Sequence, residues 1–219
     1  MTHYNGWIAK KGFTLSEVLI ALGVIGVIAA LTLTNLVKNY QKQRMVSQVK
    51  SAYNLFANAI QMSVYENGNI SNWDFSLNYT DFTKRYLLPY LNSPKPIDSY
   101  DVTTLHSDAN NFAVVWRSNA QQKYILPNGV VFSDIVTHAY TGLNVIFVDI
   151  NGPKKPNKLG RDVFVFTINE EGKDKLSTCN KYWGGDCVKE DLSNSHYQGM
   201  MCSGKLEKDG WKVKNDYPW

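Results

Sequence analysis

Hydrophobic and polar positions along the chain fall into three regimes. Residues 13–37, FTLSEVLIALGVIGVIAALTLTNLV, are apolar on every side, and the twenty residues from 18 to 37 carry no charge. At about 1.5 Å of rise per residue that run is ~30 Å long, the thickness of a bilayer's hydrocarbon core. Residues 38–68 are more polar, and within them Val49, Tyr53, Phe56, Ile60 and Val64 recur at spacings of three and four. That spacing predicts a helix with one buried face. Glu66-Asn67-Gly68 reads as its end, with Gly68 taking the left-handed conformation. Neither Gly nor Pro occurs in residues 39–43, so both regimes are expected to form one continuous helix.

The third regime, residues 69–219, alternates short apolar runs with turn residues. Residues 80–91, TDFTKRYLLPYL, predict a short helix capped by Thr80 or Asp81, with Phe82, Tyr86 and Leu87 on its inner face. Pro94 and Pro96 then mark a loop. Runs rich in β-branched and aromatic residues follow at 112–116, 123–126, 130–133, 145–150 and 163–168, with Pro127-Asn128-Gly129 as a tight turn between two of them. The pattern predicts an α+β fold, a small antiparallel sheet covering one face of the long helix.

The apolar run has a direction and an anomaly. Lys10 and Lys11 precede it, which places the N-terminus in the cytoplasm and the C-terminal part outside. A secretory signal is cut after its apolar region; here the small residue suited to cleavage, Gly12, stands before it, so the run is retained. Glu17 is a carboxylate at the edge of the span, where an unpaired charge is costly. Two readings stand open for it. A cut after Gly12 creates an α-amine on Phe13, about one helical turn away, which pairs with Glu17 in the same or a neighbouring subunit; alternatively, Glu17 lies at headgroup level. Gly26 and Ala30, four apart, permit close helix approach, a weak signal because glycine is common in membrane helices.

The string KKGFTLSEVLIALGVIGVIAAL resembles the cleavage and methylation motif of type IV pilins and type II secretion pseudopilins. The resemblance implies a membrane-bound prepilin peptidase that cuts after Gly12 and methylates the new N-terminal residue, Phe13. It also implies that Glu17 neutralises the N-terminus of an adjacent subunit during assembly. Many members carry a helix-kinking proline two-thirds through the apolar segment; Thr34 stands there in this chain, so a straighter helix is expected. On this reading residues 1–12 are a cytoplasmic leader, 13–37 the transmembrane and assembly half of the helix, 38–68 its amphipathic half, and 69–219 an extracytoplasmic domain.

Two features of that domain suggest chemistry. The loop DINGPKKPNKLGRD, residues 149–162, offers oxygen ligands from Asp149, Asn151, Asn157 and Asp162. Type II major pseudopilins have a calcium loop at a similar place, which implies calcium held by Asp149, Asn151 and Asp162. The loop departs from the EF-hand pattern, with Gly152 too early and Pro153 where a ligand belongs. Four basic residues, Lys154, Lys155, Lys158 and Arg161, outnumber its two aspartates and oppose a cation unless they point away. The competing reading is a structural turn whose Asp and Asn side chains cap backbone amides. All three cysteines, Cys179, Cys187 and Cys202, lie in the tail. Clustered cysteines in an oxidising compartment read as a disulfide staple, between Cys187 and Cys202 or between Cys179 and Cys202. A zinc site with His196 lacks the close ligand pairs of zinc modules.

Composition narrows the function. Removal of residues 1–12 takes the basic count from 23 to 21 against 19 acidic residues, a nearly neutral body with no nucleic-acid footprint. His3, His106, His138 and His196 belong to no nucleophile elbow, metal motif or phosphate loop. The expectation is therefore a structural subunit polymerising with itself or with related pilins in a pilus, a competence filament or a secretion pseudopilus. A tip adhesin or a DNA- or substrate-binding module is the alternative, and a signal-anchored enzyme has less support.

Overall fold

The computed structural model describes residues 12–98, 102, 122–137, 143–168, 172–179, 187 and 199–219. The predicted run at 112–116, the four histidines and residues 1–11 of the leader lie outside the described residues.

Helix α1 runs unbroken over Leu15–Asn67 and ends at Gly68, whose φ of +78° is the left-handed conformation that terminates helices cheaply only at glycine. The chain divides into two compact units, Met1–Lys42 and Gln43–Trp219. In the first, the side chains of Leu19, Ile20, Ile25, Val27, Ile28 and Leu31 are exposed around the helix. This is the one helix among the described residues long and apolar enough to cross a membrane. Both threonine hydroxyls in it are satisfied within the helix: Thr32 donates to Ile28 O at 2.9 Å and Thr34 to Ala30 O at 2.8 Å, as burial in lipid would require.

In the second unit α1 buries Met45, Val49, Ala52, Phe56, Ala59, Ile60 and Ser63, a stripe at helical spacing, against a seven-stranded antiparallel sheet. The strands are β1 (Lys95–Ile97), β2 (Lys123–Ile125), β3 (Val131–Ser133), β4 (Val136–Thr137), β5 (Asn144–Asp149), β6 (Val163–Ile168) and β7 (Leu176–Thr178), in the order β1-β2-β3-β5-β6-β7, with β4 also paired to β5. Phe132 meets Phe56 edge-on at 5.1 Å and Phe166 meets Tyr53 at 5.6 Å, so the even-numbered positions of β3 and β6 face the helix. All six residues of β6 are buried, because the opposite face is covered as well. There helix α3 (Cys202–Lys208) reaches the strand through Ser203, whose hydroxyl donates to Val165 O at 2.5 Å.

Three local expectations change. Helix α2 (Tyr79–Tyr86) is capped by Asn78, whose side chain accepts the Asp81 N–H at 2.9 Å. Thr80, one of the two predicted caps, instead donates its hydroxyl to Asp134 at 2.7 Å, pinning α2 to the end of β3. Asp81, the other, is the residue whose N–H is capped. Pro89 limits the helix, and the chain continues through a 3₁₀ turn at Leu88–Tyr90. Pro96 lies within β1 rather than in a loop; β1 is an edge strand, where a missing N–H leaves no partner unsatisfied.

Candidate functional site

Two regions carry the residues singled out by the sequence. The first is the start of α1. Phe13 is 87% exposed, and nothing lies within 4 Å of a Cβ placed on Gly12, so the Gly12–Phe13 bond is open on the surface. Thr14 and Glu17 form a reciprocal capping box. The Glu17 carboxylate accepts the Thr14 N–H at 2.8 Å and the Thr14 hydroxyl at 2.9 Å, and the Thr14 hydroxyl accepts the Glu17 N–H at 3.2 Å. Glu17 thus satisfies one backbone donor at the start of its own helix in the single chain. Neither a charge partner nor a headgroup-level position, the two readings open for Glu17 from the sequence, includes this cap; the Thr-x-x-Glu spacing ahead of an apolar run is the signal for it.

The second region is the 149–162 loop between β5 and β6. Its backbone reverses at Gly152 (φ +67°) and Asn157 (φ +49°), the latter following a cis Lys155–Pro156 bond. Gly152 is obligatory, since a Cβ there would stand 2.7 Å from Gly129 O. Asp162 organises the turn. Its carboxylate accepts the N–H of Asn157 at 2.8 Å and that of Lys158, while its own carbonyl accepts the Ile150 N–H at 2.8 Å. Asp149 accepts the Asn151 N–H at 3.1 Å. Both aspartates are buried. Burial pushes the Asp162 carboxyl above its ordinary pKa, against the opposing pull of the Lys158 and Asn157 amides, the Asn151 side chain and the Arg161 charge.

This arrangement brings Asp149, Asn151, Asn157 and Asp162 into one connected cluster. Its aspartates are engaged as backbone caps, yet Asn151 Oδ1 and Asn157 Oδ1 are buried without a hydrogen-bond partner. An orphaned buried acceptor is unfavourable unless something occupies it. Among the described residues no group of three or more His, Cys, Asp or Glu is placed to hold a metal, so any site here is built on two carboxylates and neutral oxygens. That set suits a hard, oxygen-seeking cation such as calcium. Of the basic residues, Lys154 and Lys155 are exposed and the Arg161 guanidinium lies 4.9 Å above the Trp219 ring, while the Arg161 charge still acts on Asp162 and Lys158 is half-buried.

In the tail a disulfide joins Cys187 to Cys202, with Cα atoms 5.0 Å apart. Cys179 is a buried thiol, its sulfur 3.7 Å from Met201 Sδ.

A long helix with an exposed apolar N-terminal half, packed through its other half on an antiparallel sheet, is a pilin-like architecture. Residues 8–33 match the prokaryotic N-terminal methylation motif, which makes the chain a pilin- or pseudopilin-like protein. It belongs to a family of unknown function (DUF6613), whose model matches residues 35–219. No curated protein and no solved structure matches it.

Proposed function

We propose that this pilin-like chain is a filament subunit made as a membrane-anchored precursor. A prepilin peptidase cuts between Gly12 and Phe13 and methylates Phe13. Residues 13–37 hold the subunit in the cytoplasmic membrane, and the same surface then packs against other copies or related pilins. Residues 69–219 stand outside the membrane. The observation that carries this reading is the methylation motif at 8–33 placed directly on a helix whose large apolar side chains are exposed. Intact-mass and N-terminal peptide analysis of protein isolated from its native membrane tests it. The expected mature chain starts at a methylated Phe13; a chain starting at Met1, or one cut beyond the apolar run, rejects the proposal.

The 149–162 loop supports a second element, a calcium ion held by Asp149, Asn151, Asn157 and Asp162. The orphaned Asn151 and Asn157 oxygens favour this over a loop that is only a capped turn. Saturating calcium stabilises by about 2.7 kcal/mol at one hundred times the Kd, which in a chain of this size moves Tm by about 5–10 °C. Differential scanning calorimetry in calcium and in excess chelator reads this directly. Equal Tm values leave Asp149 and Asp162 as backbone caps alone. Because the Asp162 pKa is raised, its proton competes with the cation at higher pH than for an ordinary carboxylate. Calcium affinity should therefore fall as pH drops through the upper carboxylate range.

A further inference from the structure

Three consecutive residues of the 149–162 loop are each gripped by the C-terminal segment. Leu159, fully buried, lies so close to Gly199 that a Cβ on that glycine would come within 2.7 Å of the Leu159 backbone oxygen. Gly160 O accepts a hydrogen bond from the buried Tyr217 hydroxyl. The Arg161 guanidinium rests 4.9 Å from the Trp219 ring centre. These residues stand between Asn157 and Asp162, whose mutual hydrogen bond of 2.8 Å shapes the turn. A shift of the segment therefore acts on both ends of that bond.

What positions the segment is equally specific. Cys202 opens α3, is covalently tied to Cys187 across a separation of 15 residues, and donates its N–H to Gly199 O at 3.3 Å. At the other end of α3, Asp209 pairs with Lys205 at 2.7 Å and with Lys214 at 2.8 Å, and Lys205 also reaches Asp216 at 2.8 Å. Asp216 is the immediate neighbour of Tyr217. The disulfide thus restrains Cys202, whose N–H holds Gly199, and α3 with its ion pairs carries the restraint on to Tyr217 and Trp219.

We infer that the C-terminal segment is a disulfide-held latch on the 149–162 loop, so that the redox state of Cys187–Cys202 sets the loop's affinity for a divalent cation. The cation part rests on the calcium reading above; the mechanical link does not. Reduction by a dithiol breaks the S–S bond, delivers two electrons and two protons to the Cys187 and Cys202 sulfurs, and leaves the dithiol as its own disulfide. The chain beside Gly199 regains conformational entropy while Ser203 still ties α3 to β6, and the grip on Leu159 to Arg161 loosens. Binding linkage is reciprocal, so calcium makes the disulfide harder to reduce by the same factor.

The full chain in detergent micelles provides the test, compared as oxidised protein, as protein reduced with dithiothreitol, and as Tyr217→Phe with the disulfide intact. Amide hydrogen exchange at Asn157 and Lys158 is followed without calcium, and calcium Kd is measured by titration calorimetry. Reduction should speed exchange at these two amides by about tenfold and weaken calcium binding by a similar factor, with Tyr217→Phe in between. The Val148 amide in the sheet should keep its protection, which separates latch release from global unfolding. Exchange at Asn157 and Lys158 unchanged in both altered forms overturns the latch, even where calcium binds normally. Exchange that responds in a protein binding no calcium rejects the calcium reading and keeps the latch.

Discussion

A Glu17→Ala subunit is expected to insert into the membrane normally and to be lost from filaments, its incorporation falling about tenfold or more. Insertion is driven by the uncharged run at 18–37, which the substitution leaves intact and slightly more apolar. Assembly is different, because it asks the carboxylate to meet a positive N-terminus in an environment that leaves charges uncompensated. The capping box complicates the experiment in a useful way. Glu17 already serves its own helix through Thr14, so alanine removes a cap as well as a charge. Glu17→Gln separates the two. Its amide oxygen still accepts the Thr14 N–H, but it carries no charge. If charge pairing governs assembly, Gln fails as Ala does; if capping is the whole role, Gln behaves like the parent. Immunoblots of sheared filament and membrane fractions give the readout, and normal incorporation of both variants would falsify the assembly role.

The largest expected effect on stability comes from a residue of no apparent chemical interest. Gly199→Ala should destabilise the outer unit by about 3–5 kcal/mol, the sum of two penalties. At φ +96° an L side chain is strained, and the added Cβ has to share space with the backbone of Leu159 at 2.7 Å, where no flexible side chain can yield. Gly172→Ala is the matched control. It has φ +68° but open space around the added atom, so it should lose only about 1–2 kcal/mol. Urea unfolding followed by tryptophan fluorescence compares the two. Equal losses would mean that the backbone approaches less closely at Gly199 than the geometry indicates.

The contrast between Glu17 and Gly199 marks how far local pattern reaches. A period of 3.6 describes contacts a segment makes with one side of itself, so the Val49 to Val64 stripe was readable directly, and β6, buried on both faces, was readable as a continuous β-branched and aromatic run. Tyr53 and Val64 are only half-buried, however, while Ala52, Ala59 and Ser63 complete the inner face, because small residues fit where helix and sheet approach most closely. The short strands β1, β4 and β7 carry too few residues to establish a period, and Pro96 pointed the wrong way until β1 proved to be an edge. Helix α3 lies in a stretch read only for its cysteines and a rejected zinc site.

In the loop, composition named the oxygen donors but left two questions open: where the lysines point and whether the aspartates are already engaged. Neither is a property of residues 149–162 alone. Arg161 rests on the ring of Trp219, 58 positions later, and Gly160 is held by Tyr217 from the same distant segment. What the sequence determined by itself was the long apolar run, the methylation motif, the long helix and the α+β class, since each depends on composition and spacing within one contiguous stretch. Only the tertiary structure decided which face of the tail meets the loop, which donors remain orphaned and why Gly199 has no substitute, because those depend on contacts between segments that no local period encodes.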